Sequence, residues 1–238
     1  MVAVLEKVRL ETKERFLDIR NPFDERGWDY TVDNVFSFER GKIYGVVCEY
    51  GGGGEAISLL LTNETPREEE KVYFDDVEVD AGTVQRAGWY VGKPLYSGKL
   101  LKREKSIRKA LDYALKKYHK YESIDGIIED FGLTPGRLHY GISTNCFWEK
   151  WRASLAIGYA SNKIIFCFPW MNTLTFYDCL YNSAVFRLFK RLKKEGAIII
   201  LPTSRKENVE GFVDEVIQIG GRRFEQVISD SEYFKQYF

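Results

Sequence analysis

Short apolar runs alternate with amphipathic stretches along this chain in an order that predicts a layered α/β protein. Strands are expected over 2–10, 15–20 and 34–38 and, after a turn at Gly41, over the apolar run 43–47 that leads into four glycines. A further strand region at 72–79 ends in the turn Asp80, Ala81, Gly82. The middle is helical. Ile107, Ala110, Leu111, Ala114, Leu115 and Tyr118 recur at the spacing of one helix face, and 124–131 predicts a shorter helix stopped by Gly132 and Pro135. A helix over 148–160 precedes the apolar run 163–168, which suits a buried parallel strand. The grammar then repeats: helix 184–194, strand 197–201, helix 206–212, strand 215–219 and a turn at Gly220 and Gly221. Alternation of this kind implies a parallel sheet flanked by helices, with a helical insertion in the middle.

The segment GVVCEYGGGGEAISLLL, 45–61, has the outline of a phosphate-binding loop: strand, glycines, helix. In the pattern GxxxxGK followed by Ser or Thr, backbone N–H groups cradle phosphates, the lysine reaches their oxygens and the hydroxyl holds Mg²⁺. Here the stretch reads Cys48, then Gly51, Gly52, Gly53, Gly54, Glu55 and Ala56. Gly51 and Gly53 keep the backbone freedom that a tight anion nest requires. The lysine slot, however, is Gly54, the hydroxyl slot is Glu55, and Ala56 offers no substitute. A carboxylate about 4 Å from a phosphate oxygen repels it by roughly 4 kcal/mol at an effective dielectric of about 20, close to a thousandfold in affinity. Glu55 is expected to occupy the nest itself, held by free N–H groups and the helix dipole. Restoring lysine at 54 and serine at 55 is expected to return some phosphate affinity. A plainer reading, four glycines as a flexible turn, stands beside this one.

Composition narrows the picture further. A chain of 238 residues, 45% hydrophobic and 15% aromatic, has the material for a substantial core. Lys plus Arg equals Asp plus Glu at 35 each, so no overall field favours nucleic acid or an anionic membrane. The acidic stretch 67–80 and the basic stretch 102–120 read as solvated faces. No run approaches the roughly 20 apolar residues that span a bilayer. The opening MVAVLEKVRLETKERF places charges where a signal peptide needs an apolar core, and a cytoplasmic chain is expected. Cys48, Cys146, Cys167 and Cys179 lack CxxC spacing and read as reduced thiols; with only His119 and His139 present, no histidine-rich metal centre is expected.

Five segments then fall in a telling order: GKIYGVV, AGWYVGKPLY, YGISTNCFWEKWRASLAIGYASNK, KIIFCFPWMNTL and IIILPTSRKENVEGFVDEVIQIGGRR. In their order and spacing the chain resembles the nucleotide-binding subunit of an ABC transporter over nearly its whole length. The resemblance implies a P-loop NTPase (RecA-like) core sheet, an antiparallel N-terminal β-subdomain and a helical subdomain inserted at approximately 93–160, all within one domain. It also places the family's motifs residue by residue. The glutamine of the Q-loop falls on Gly92. The signature motif falls on Ile142, Ser143, Thr144, Asn145 and Cys146, with only Ser143 retained. The Walker B carboxylates fall on Cys167 and Phe168, and the switch histidine on Ser204. Phe23, Trp28 and Tyr30 are candidates for stacking adenine, with ordinary packing an equal alternative.

Phosphoryl transfer rests on positioning and charge stabilisation, and these replacements remove the lysine, the metal ligands and the base together. The resemblance therefore implies a pseudo-ATPase subunit with no expected cofactor, ATP and Mg²⁺ binding only weakly if at all. Its implied partners are transmembrane permease subunits, met from the inner face of the membrane, and a second ATPase subunit or a copy of itself, with no nucleic acid. Tyr90, Leu95, Tyr96 and Leu101 are the expected docking patch. A weakly ATP-binding subunit of a heterodimer and a soluble scaffold remain alternatives. An enzyme of new chemistry would draw on Glu49, Glu55 and Asp178.

Overall fold

Five parallel strands form the central sheet of the computed structural model, which describes residues 5–20, 26–97 and 103–220. The first strands are β1 (Lys7–Thr12), β2 (Arg15–Arg20), β3 (Arg26–Thr31), β4 (Asn34–Glu39) and β5 (Ile43–Val47). After helix α1 (Gly54–Thr62) come β6 (Lys71–Phe74), β7 (Val77–Glu78), helix α2 (Ala81–Ala87) and β8 (Gly88–Tyr90). A small hairpin of β9 (Tyr96–Ser97) and β10 (Arg103–Glu104) leads to helices α3 (Ile107–Tyr118), α4 (Ile124–Phe131) and α5 (Phe147–Ala160). The chain returns through β11 (Ile165–Cys167), α6 (Thr173–Phe176), α7 (Phe186–Lys194), β12 (Ile198–Thr203) and β13 (Glu215–Gln218).

The parallel sheet runs β13-β5-β12-β11-β8, and an antiparallel sheet runs β4-β1-β6-β7. A third, two-stranded sheet is the hairpin of β2 and β3, with Phe16 opposite Tyr30 and Leu17 opposite Asp29.

Strict alternation along the parallel strands divides the core in two, because successive side chains point to opposite faces. Tyr44, Val46, Ile198, Ile200, Ile165 and Cys167 face the layer made by α1 and the antiparallel sheet. Ile43, Val47, Ile199, Leu201, Phe166 and Phe168 face the helices, where Leu111, Phe131, Trp151 and Phe189 join them. All nine residues of α1 are buried, as befits a helix covered on every side. Each fully buried Leu, Ile or Phe contributes on the order of 1.5–3 kcal/mol by leaving water.

Several elements differ from the sequence reading. The strand expected over 72–79 is a hairpin, β6 and β7, turned by Asp75 (φ 48) and Asp76 (φ 63) in the left-handed region that two-residue hairpin loops use. The helix expected at 206–212 shrinks to one 3₁₀ turn, Lys206–Asn208. The turn expected at 80–82 is instead the capped start of α2, with the Asp80 carboxylate accepting from Thr83 N–H at 2.6 Å. Helix α7 starts two residues late because Ala184 sits at φ 55. Residues 2–4 and Gly221 lie outside the described residues.

Gly88 carries α1 against the sheet. A Cβ there would stand 2.3 Å from the Leu61 carbonyl oxygen and 2.8 Å from Thr62 Cα, both backbone atoms that cannot yield cheaply. Gly88→Ala should cost about 3 kcal/mol, read from the urea midpoint, whereas Gly136→Ala, with nothing within 4 Å, should be close to neutral.

Candidate functional site

Strand β5 delivers the chain into the glycine loop, and the loop's backbone demands its glycines. Gly51 (φ 75) and Gly53 (φ 99) lie in the left-handed region, and a Cβ on Gly52 would stand 2.9 Å from the Glu49 carbonyl oxygen. Gly53 is the N-cap of α1 and has no side chain to cap it.

The cap comes from β3. Asp29 Oδ1 accepts from Gly53 N–H at 2.7 Å and from Tyr30 N–H at 2.9 Å, and its Oδ2 accepts from Ala56 N–H at 2.7 Å. The carboxylate is 1% exposed. Burial raises its pKa to about 6, against the backbone hydrogen bonds from Gly53, Ala56, Tyr30 and Glu55 that pull it down. The backbone hydrogen bonds favour the charged carboxylate that burial opposes, in the place where a nest of this shape holds an anion. The hairpin rests on the loop at other points too. Tyr30 N–H donates to the Gly51 carbonyl at 3.2 Å, a Cβ on Gly53 would lie 3.0 Å from the Tyr30 carbonyl oxygen, and the Trp28 ring covers Gly51.

Glu55 does not sit in the nest, contrary to expectation. It turns toward the end of β11, where its carboxylate accepts from the Tyr90 hydroxyl and from Trp170 N–H. Burial, and to a lesser degree the Asp29 charge, push its pKa well above the usual carboxylate range. Trp170 closes this side: its indole N–H donates to the Cys48 carbonyl at 3.1 Å, and its ring packs edge-on against Tyr50. A side chain in the lysine slot would require Cys48 to move. A Cβ on Gly54 would stand 2.6 Å from Cys48 Sγ and 3.1 Å from Pro202 Cβ. Two features bear on the expectation that lysine at 54 and serine at 55 return phosphate affinity: Asp29 occupies the nest, and a side chain at 54 would have to displace Cys48.

The remaining slots are spent on packing. Gly92 (φ 88) has the Trp151 ring where a Cβ would be, at 2.5 Å, and its N–H donates to Ser154 Oγ at 2.7 Å. Cys167 and Phe168 are fully buried on opposite faces of the sheet; Phe168 stacks on Trp151 with centroids 6.2 Å apart, and its carbonyl accepts from Ser58 Oγ at 2.7 Å. Ser204 follows β12, its N–H on the Met171 carbonyl at 3.3 Å. In the signature segment Ile142 is core, and Ser143 gives both its N–H and its hydroxyl to the Glu104 carboxylate. Thr144 Oγ1 accepts from Gly141 N–H, Asn145 Nδ2 donates to the Arg137 carbonyl, and Cys146 is the N-cap of α5. Trp28 and Tyr30 pack on Phe16, centroids 5.7 and 4.9 Å away. Phe23 and Leu101 lie outside the described residues. Glu49 is exposed, and Asp178 binds Asn182 rather than converging with Glu55. Among the described residues no group of three or more His, Cys, Asp or Glu is placed to hold a metal ion.

A cavity of about 370 Å³ opens beside β8. Trp89, Leu95 and Tyr96 line it together with Lys93 and Lys163. Tyr96 stands 52% exposed; Tyr90, expected to be part of a docking patch, also lines the cavity, although it is buried and its hydroxyl turns inward to Glu55. Lys93 pairs with Glu64, and burial, then the charge of Lys117, holds Lys163 down at about 8.

Sequence reading missed Asp29, Trp170 and Glu104. Each is an ordinary residue in an ordinary segment until the fold brings it to a motif slot, and for Asp29 the signal was only an acid between two aromatics in RGWDYT.

No family model matches the chain, and no curated protein matches it. Solved structures do, and what they share with the chain is its fold. cbiO1 from Clostridium perfringens, part of the ABC transporter complex cbiONQ, shares 12% identity at a TM-score of 0.62 over 98% of this chain and 94% of its own. The ATP-binding cassette MJ0796, in a dimeric post-hydrolysis state with ADP and Pi, shares 14% at 0.63 over 89% and 94%. A bacterial Atm1-family ABC exporter with ATP bound shares 14% at 0.61 over all of this chain and 42% of that one. The chain has the fold of an ABC ATP-binding cassette. In the glycine loop of that fold this chain places the Asp29 carboxylate on the Gly53 and Ala56 N–H groups, with Gly54 packed against Cys48 and with Cys167 and Phe168 buried in the core.

The raised Asp29 pKa has a definite sign in stability. The folded chain holds this proton to about pH 6, the unfolded chain to about the ordinary 3.8, so the folded state binds more protons in between and loses stability as pH rises through that window. Measured against Asp29→Asn by thermal or urea unfolding, the wild type should lose up to about 3 kcal/mol between pH 4 and 6 and then level off.

Proposed function

We propose that this chain is a catalytically silent ATP-binding-cassette subunit that serves a transporter mechanically, docking on transmembrane permease subunits and pairing with a second cassette or a copy of itself. The observation that carries this reading is the Asp29 carboxylate in the nest of the glycine loop, beside a Gly54 packed against Cys48. Hydrolysis would further require groups to position and polarise water, and the slots at Cys167 and Phe168 present a thiol and a ring buried in the core. The signature side gives the same message. With Ser143 N–H and hydroxyl both engaged by Glu104, a partner's phosphate arriving there would meet a carboxylate first. That arrangement counts against the weak-site heterodimer.

Support for docking is the cavity beside β8. Trp89, Tyr90, Leu95 and Tyr96 offer apolar and aromatic surface, and Lys163 lines the wall beside a Lys93–Glu64 pair. This combination fits an apolar helix or loop bearing an acidic side chain, presented by a membrane partner on its inner face. Among the described residues no helix is long and apolar enough to cross a membrane, so anchoring would be supplied by that partner. The soluble scaffold is the second reading, favoured by the same empty chemistry, and it differs only in what occupies the cavity.

Two measurements separate these possibilities. Titration calorimetry of the isolated chain with Mg-ATP should give no saturable heat up to millimolar ligand; micromolar affinity overturns the silent-site reading. Tyr96→Asp, at a half-exposed position of the cavity, should leave folding unchanged and abolish co-purification with the permease, since the variant sets a carboxylate against the partner's acidic side chain and removes an aromatic anchor. Retention by the folded variant would move the weight to the scaffold.

A further inference from the structure

We propose that the β2–β3 hairpin is an intramolecular plug, in which Asp29 acts as a surrogate phosphate that keeps the glycine loop in its anion-bound shape and excludes external phosphate from it. The inference rests on the silent-cassette reading and adds a cause to it: the nest is occupied by the chain's own anion, and has not been dismantled.

Three observations carry it. First, the nest is still built. Gly51 and Gly53 hold left-handed conformations, and the N–H groups of Gly53 and Ala56 converge on one carboxylate at 2.7 Å each. Distances of this kind are those of charge-assisted hydrogen bonds, about twice as strong as neutral ones. Second, the occupant comes from a separate element. Asp29 precedes the residues it binds by 24 and 27 positions, so it is no local helix cap, and the N-cap position itself is a glycine without a capping side chain. Third, the hairpin is fastened around its carboxylate. Tyr30 N–H reaches the Gly51 carbonyl at 3.2 Å, Trp28 packs over Gly51, and Gly53 has the Tyr30 carbonyl where a Cβ would stand. A ligand so fastened acts at an effective concentration far above that of free phosphate, for the reason that any tethered ligand does. Glu55, swung away to Tyr90 and Trp170, leaves the nest to Asp29 alone.

Amide NMR of the full chain tests this with inorganic phosphate as the probe. In the wild type the Gly53 and Ala56 amides should be protected from exchange and unmoved by millimolar phosphate. In Asp29→Ala the same two amides should shift saturably, with an affinity at least about tenfold above any wild-type response. Asp29→Asn, of equal volume and no charge, provides the second variant if the alanine chain does not fold, and its amides should respond to phosphate but not to chloride. Wild-type amides that exchange freely or titrate with phosphate would overturn the plug, as would a folded variant that ignores phosphate. Either result leaves the Mg-ATP and permease measurements standing, so the two readings fail independently.

Discussion

An ionised carboxylate shut away from water must be given hydrogen bonds or be expelled, and at Asp29 this constraint is met entirely by backbone. The donors are the N–H groups of Tyr30, of Gly53 at the N-cap of α1 and of Ala56 in its first turn, the last two at a helix start buried on all sides. Each half of the contact thus solves the other's problem. The hairpin of β2 and β3 needs a place to put its acid, and the helix needs an acceptor it cannot supply from Gly53. Neither could be removed alone without stranding polar groups in the core.

The same logic runs through the other motif positions. At each of these positions the side chain or backbone group is already engaged within the chain. Glu55 is held by Tyr90 and Trp170, Ser143 by Glu104, Gly92 by Trp151 and Ser154, and Phe168 by the rings of Trp151 and Phe189. Apolar burial replaces solvated charge, which removes the desolvation cost that unpaired carboxylates would impose at Cys167 and Phe168.

Most of the fold could be read from the sequence because it rests on periodicity. The runs 43–47, 163–168 and 197–201 announced the parallel strands, and the helix face from Ile107 to Tyr118 announced α3. Spacing of the motif segments was enough to anticipate the cassette. What stayed hidden were contacts between distant segments and conformations set by single residues. The destination of Glu55 depended on Tyr90 and Trp170, 35 and 115 positions away, and nothing local distinguished the nest from the far side of the helix. The hairpin at 71–78 turned on two aspartates with positive φ, and β3 was obscured by glycine and charges at its start. The 3₁₀ turn at Lys206–Asn208 has helical composition, but its brevity is decided by Asn208, buried and bound to Thr203.

One consequence follows from the way Trp151 is seated. Its ring fills the space against Gly92, stacks on Phe168, and belongs to a cluster that runs without interruption from Val47 and Leu201 in the sheet to Phe131 and Leu111 in the helices. Rotating the helical unit against the sheet would mean extracting an indole from a site where the backbone passes within van der Waals contact. One side chain thus ties the sheet to the helices, and any change of angle between them has to begin by unseating it.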